Sequence, residues 1–171
     1  MACYAVISYI VFPVQYFLTG IGEGVQPLIS FYHGAKKEME VRAVKRIAYT
    51  AEIIFGITAA AVTICMIPYI GGWFGLSAES KQCFSSGMLI SSFAFLLTGT
   101  AKLNVSCLNA VMQTKKAVFM TYIESLAVSP ICLFLLPAVW DIRGIWLALP
   151  VTAGIMTGIY GLIRKDRKNE E

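Results

Sequence analysis

Five long runs that are almost free of charge constrain this chain more than any other feature. They are roughly 5–32, 46–67, 84–112, 117–139 and 144–163. A helix needs about 20 predominantly apolar residues to cross the hydrocarbon core of a bilayer. The runs therefore predict an all-α, polytopic membrane protein with about five transmembrane helices in 1–163 and a charged tail at 164–171. Span two is expected to end before Pro68. Composition agrees: 57% of residues are apolar and 14% charged, against about 45–50% and 25% in soluble domains. The mean hydropathy is +0.70. The opening run has no Lys or Arg before it, its first charge is Glu23, and it is too long for a cleaved signal segment, so it reads as a span.

The net charge of +4 raises nucleic acid as a partner. The cations, however, sit in short clusters between apolar runs, which fits membrane topology and not a nucleic-acid face. Loops one and three and the tail hold Lys36, Lys37, Arg42, Lys45, Arg46, Lys115, Lys116, Arg164, Lys165, Arg167 and Lys168. The other side holds Lys81 and Arg143. This asymmetry predicts a multi-pass protein of the cell membrane, its C-terminus cytoplasmic and its N-terminus outside. Trp73 and Trp140 then fall at the outer interface. An outside N-terminus without a signal implies an upstream helix. The five spans show no repeat that would make them a complete symmetric transporter.

No enzyme, cofactor or metal chemistry is expected. The five cysteines are scattered without a CxxC or Cys/His cluster, His33 is the single histidine, and no Walker A, GxSxG or HExxH stretch occurs. Polar residues inside the spans are more informative. Gln15, Thr19, Glu23, Gln26 and Ser30 recur at helical spacing, as do Ser91, Thr98, Lys102, Ser106, Asn109 and Gln113. Each set predicts one polar helix face turned toward a partner helix or a watery cavity.

Four ionisable residues lie within spans: Glu23, Glu52, Lys102 and Glu124. Counted along the chain, Glu23 and Lys102 each stand about 20 Å from the following basic cluster. Glu52 and Glu124 stand about 9 and 12 Å from the preceding ones. Glu23 and Lys102 are thus expected to pair near mid-membrane, with Glu52 and Glu124 shallower. Glu23 has two readings, a cation or proton site and a static charge pair that fixes packing. Pro13, Pro27, Pro130, Pro137 and Pro150 mark expected bends. Gly20-xxx-Gly24 and Gly154-xxx-Gly158 mark expected close helix approaches.

The stretch GIGEGVQPLISFYHGAKKEMEVRAVKR resembles the eighth helix and following loop of MATE-type multidrug efflux transporters. Gly20, Gly22, Gly24, Gln26, Pro27, Leu28, Ile29, Ser30, Gly34, Ala35 and Lys36 match the family pattern. Glu23 replaces the usual Gln, and Phe31, Tyr32 and His33 replace Tyr-Asn-Tyr. RGIWLALP is similar to a second family stretch, through Gly144, Trp146 and Pro150. Ala153 stands where an acidic residue is frequent, and Glu124 and Ser125 where an Arg-Gln pair is frequent. The resemblance covers the chain in order and implies helices eight to twelve of a two-lobed, twelve-helix transporter. It implies efflux of cationic or amphipathic drugs by alternating access, coupled to protons or sodium. Glu23 and Gln26 would line the cavity, Lys102 would be their electrostatic partner, and Glu52 and Glu124 are further candidates. Two alternatives stand beside it. One is a non-transporting truncated membrane protein or half of a split transporter acting with an N-terminal half chain. The other is a lipid-linked sugar flippase of the same broad superfamily, which would favour a more cationic cavity.

Overall fold

The computed structural model describes residues 2–75 and 78–170; the side chains of 2–3, 71, 78–80, 142–143 and 164–170 stand outside that description. The side chains of Cys3 and Arg143, and those of the basic tail, are therefore outside the described residues. Helix α1 spans Ala2–Gly34, α2 Glu38–Trp73, α3 Ala78–Ala110, α4 Thr114–Ile123 and α5 Ser129–Glu170, with a π-helical segment at Glu124–Val128 between the last two. Five stretches are long and apolar enough to cross a membrane: Tyr4–Gly34, Glu38–Ile70, Lys81–Ala110, Thr114–Asp141 and Gly144–Ile163. The five expected spans are thus present, and among the described residues there is no strand. Pro68 does not end its helix, which continues through it to Trp73. A proline removes one helix hydrogen bond, and membrane helices tolerate this where neighbouring groups serve the freed carbonyl.

Helix α3 is the hub, packing on α1, α2 and α5, while α2 packs on α1 and α3. Helices α1 and α3 run parallel with a constant offset. Ile7 meets Gly87, Leu18 meets Gly99, and Gly22 meets Leu103 and Ser106. At one end the Ser30 hydroxyl donates to the Ala110 carbonyl at 2.8 Å. That end is closed by Ile29, Val41, Ala48, Leu103, Cys107 and Ala110. The opposite end is closed by Ile7, Val11, Leu18, Phe84, Met88, Phe95 and Trp146. Ala101, Leu108, Ala117, Met120, Ala153 and Met156 join α3 to α4 and α5.

The α1–α2 and α3–α4 turns are built alike. Lys37 N–H donates to the Tyr32 carbonyl and Lys36 N–H to that of His33; Gln113 and Met112 do the same to Leu108 and Asn109. This is the Schellman arrangement, whose left-handed residue is usually glycine. Here Lys36 (φ 57°) and Met112 (φ 59°) hold it. A side chain in that region costs about 1–2 kcal/mol. Met112 is 86% exposed, so Met112→Gly gives up little packing. It is expected to stabilise the fold by about 1 kcal/mol, read as a raised melting temperature in detergent.

Helix α5 folds back on itself. Trp140 (φ −121°, ψ 19°) and Asp141 (φ 49°, ψ −137°) leave helical geometry. The two halves then approach so closely that a Cβ on Gly144 would overlap the Leu136 carbonyl and the Pro137 nitrogen. The glycines of the two motifs thus have unequal duties. Gly22 sits at the α1–α3 crossing and Gly144 at the hairpin, whereas Gly20, Gly24, Gly154 and Gly158 have open space around them. The close approaches expected at those four glycines are not made among the described residues.

Candidate functional site

The π-helical segment shapes the site. Pro130 offers no N–H, and its ring opposes the carbonyl four residues back. The chain widens by one residue just before it, so that Ser129 N–H donates to the Glu124 carbonyl, five residues back. Such insertions recur at functional positions in helices. The Glu124 side chain faces α3, and its Oε1 accepts from Lys102 Nζ at 2.8 Å. The Glu124 side chain is 17% exposed and that of Lys102 38%.

This ion pair lines a cavity of about 420 Å³ bounded by the first half of α1, by α3, by the π-helical segment and by both halves of α5. Its walls are otherwise mostly apolar and aromatic, with Tyr4, Phe12, Leu133, Phe134 and Trp146 among them, and hydroxyls of Ser8, Ser125, Ser129 and Thr152 between. Tyr4 and Trp146 stack with ring centroids 5.4 Å apart. Ser91 and Thr98 also face it, and their buried hydroxyls, like the Trp146 indole N–H, have no hydrogen-bond partner within the described protein. One carboxylate, one ammonium and several unengaged polar atoms are thus set into an aromatic-walled chamber. Pockets that recognise amphipathic molecules have this make-up, a mostly apolar lining with few fixed polar groups.

The sequence-derived candidates are distributed unevenly around the cavity. Lys102 and Glu124 line it; Glu23, Gln26 and Glu52 do not. Glu23 is exposed, and Gln26 is half-buried at the edge of the core face that holds Gly22 and Ile29. The expected Glu23–Lys102 pair is not formed, because Lys102 bonds Glu124 instead. Depth does not separate Glu23 from Lys102, since Gly22 lies against Leu103; Glu23 is instead exposed on another face of α1. Helix α3 ends at Ala110 and α4 begins at Thr114. Lys102 is therefore eight residues, about 12 Å, from its helix end, and Glu124 ten residues, about 15 Å, from the start of the next. They are level with each other, so Glu124 is not the shallower of the two.

Glu52 is likewise deeper than expected, fourteen residues into α2 and 2% exposed. Its carboxylate lies against Gly99 and makes no hydrogen bond. One turn away, the Tyr49 hydroxyl donates to Asn104. A methyl group on residue 99 would overlap the Glu52 carboxylate. Gly99→Ala should destabilise by about 1–3 kcal/mol. Truncating Glu52 to Ala in the same chain should recover much of that loss, since the obstruction is then gone. A denaturation-based double-mutant cycle checks it.

Residues that the sequence reading missed are the aromatic lining residues Tyr4, Phe12 and Phe134. They read as ordinary lipid-facing side chains; their only signal is position, near a proline and near the start of a span. Trp146 was picked out by its motif, and its environment explains it. It is 5% exposed, stacks on Tyr4 and covers Gly87, where a Cβ would collide with the indole.

Spans packed around a central helix define the class as a polytopic helical membrane protein. The MatE family model matches residues 1–134, and the chain belongs to that family. Solved structures agree in fold. An outward-facing multidrug resistance MATE family transporter of the MOP superfamily superposes with a TM-score of 0.85 at 13% identity, over 97% of this chain and 38% of that one. A mutant of the Vibrio cholerae MATE transporter VcmN gives 0.85 at 22% identity, over 99% and 39%. The bent form of VcmN gives 0.83 at 22%, over 96% and 38%. The chain thus spans somewhat over a third of the length of these transporters. A comparison with curated protein sequences finds no match.

Proposed function

We propose that the chain forms part of a lobe of a proton- or sodium-coupled antiporter that exports amphipathic organic cations, with the Lys102–Glu124 cavity as the part of the route it contributes. The observation that carries this reading is the charge pair at the wall of an aromatic chamber. An organic cation entering the chamber finds aromatic faces for its rings and a carboxylate already poised for an ammonium. Binding exchanges the Lys102 ammonium at Glu124 for the cationic head of the substrate. A second cation arriving at Glu124 reverses the exchange, which is the minimum that coupling requires. Glu23, on the open face of α1, serves a second cation contact in the assembled transporter. The basic turns point to the cytoplasm.

The half-transporter reading has its own support. The exposed α1 face bearing Tyr9, Tyr16 and Glu23 fits a chain whose first helix packs against further helices. An upstream reading frame with about seven hydrophobic spans would support it.

The test is accumulation of a fluorescent organic cation in a pump-deficient bacterium. The chain is expressed alone and beside a chain supplying seven further spans. Lower accumulation is expected in at least one of these cells, and Glu124→Gln should restore it at equal membrane abundance. Activity only with the second chain selects the half-transporter reading. Unchanged accumulation in both sinks the transport role.

A further inference from the structure

The end of the bundle that carries the two Schellman turns presents a surface that the cavity does not use. The turns lie side by side, tied by the Ser30–Ala110 hydrogen bond and by Ile29, Val41 and Ala110 in one apolar cluster with Val44 and Val111. Lys36 and Lys37 stand on one turn and Lys115 and Lys116 follow the other; Arg42 and Arg46 stand on the first turns of α2, and all six are exposed. The acids nearby are Glu38, whose carboxylate lies 3.4 Å from His33 Nδ1, and Glu40, two against the six cations. At the opposite end the described charged side chains are Lys81 and Asp141, which cancel.

Apolar side chains are interleaved with these cations. Met39 is 76% exposed, Ile47 68% and Met112 86%. Met39, Arg42, Arg46 and Ile47 share one face of α2, at i, i+3, i+7 and i+8. A solvated loop would not place methionine and isoleucine there, and a nucleic-acid surface would not need them. A membrane boundary needs both kinds: apolar tips reaching the acyl region and cations at the phosphate level. The position of the patch, at the ends of the first four spans, supplies that boundary.

We propose that this end binds the phosphodiester headgroup of anionic phospholipids, held between the two turns by the lysine pairs and by Arg42 and Arg46. Each cation near an anionic surface strengthens attachment by about a factor of five. The arginines can grip a phosphate through two parallel hydrogen bonds. Bound lipid would cross-link the α1–α2 and α3–α4 hairpins at their shared end.

The test uses the full chain reconstituted in vesicles of phosphatidylcholine, with or without phosphatidylglycerol. Native mass spectrometry then counts the lipids retained per chain. Phosphatidylglycerol should be retained preferentially. Lys36→Gln, Lys37→Gln, Lys115→Gln and Lys116→Gln together should remove that preference, each lowering affinity about fivefold. The same four positions changed to Arg should keep it, which separates lost charge from lost fold. Lys81→Gln at the opposite end should change nothing. Equal retention of the two lipids by the unaltered chain overturns the proposal, as does a preference that survives the four Gln substitutions. Displacement of the lipid by millimolar inorganic phosphate or by a short DNA would also overturn it, by showing a free-anion or nucleic-acid surface instead.

Discussion

Gly144→Ala should abolish the native fold of the last two spans. The methyl group would be placed inside the van der Waals envelope of the Leu136 carbonyl and the Pro137 nitrogen. Both obstacles are backbone atoms, so no rotamer change relieves the overlap; the two halves of α5 must separate. Overpacking in a core costs about 1–3 kcal/mol, and the largest losses, above about 4 kcal/mol, accompany strain that nothing can absorb. The expected loss is at the upper end, about 3–5 kcal/mol. Separation of the hairpin also withdraws Trp146 from Gly87 and Tyr4 and opens the cavity on one side. Thermal unfolding in detergent, followed by tryptophan fluorescence, reads both effects. Gly154→Ala on the same helix meets open space and should leave the melting temperature nearly unchanged.

Breaking the Lys102–Glu124 pair is the second large effect. Lys102→Met leaves a carboxylate that is mostly buried, and Glu124→Leu leaves an ammonium without its partner. Truncating one member of a buried pair typically costs about 3–5 kcal/mol. Lys102 retains some contact with the cavity interior, being 38% exposed, which reduces its cost to about 2–3 kcal/mol. Exchanging the charges, with Lys102→Glu and Glu124→Lys in one chain, should recover at least half of the loss. The same exchange between Lys102 and Glu23 should recover nothing, because Glu23 is exposed on α1 and makes no contact with the lysine. Chemical denaturation of the reconstituted chain provides the numbers for both cycles.

The contrast between these two cycles shows what could be read from the chain and what could not. Span number and extent followed from hydrophobic length alone, because the bilayer sets that length. Which charges meet depends on which helix faces meet. Glu23 and Lys102 share a level, since Gly22 lies against Leu103, but Glu23 is exposed and Lys102 bonds Glu124, whose depth the sequence spacing hides. Counting from Lys115 back to Lys102 crosses the Val111–Gln113 turn and overstates the depth of Lys102. Counting from Arg46 to Glu52 understates the depth of Glu52, because Arg46 is itself already eight residues into α2. The glycine pairs misled for a related reason. A small-xxx-small pattern permits close approach but does not say which face has a neighbour. Gly22 and Gly144 have one; Gly20, Gly24, Gly154 and Gly158 have none within the described residues. Pro130 was legible as a bend, but the π-helical turn it imposes, and the aim that turn gives Glu124, required the fold.

Recognition of an amphipathic cation by the chamber between α1, α3 and α5, through Glu124, can be measured on this chain directly. Equilibrium dialysis of tetraphenylphosphonium against the purified chain in lipid nanodiscs tests it without requiring transport. Saturable binding is predicted, weakened at least about tenfold by Glu124→Gln, the equivalent of about 1.4 kcal/mol. Glu23→Gln, remote from the chamber, should leave that binding unchanged. Binding that survives Glu124→Gln intact, or that is lost with Glu23→Gln instead, would contradict the account.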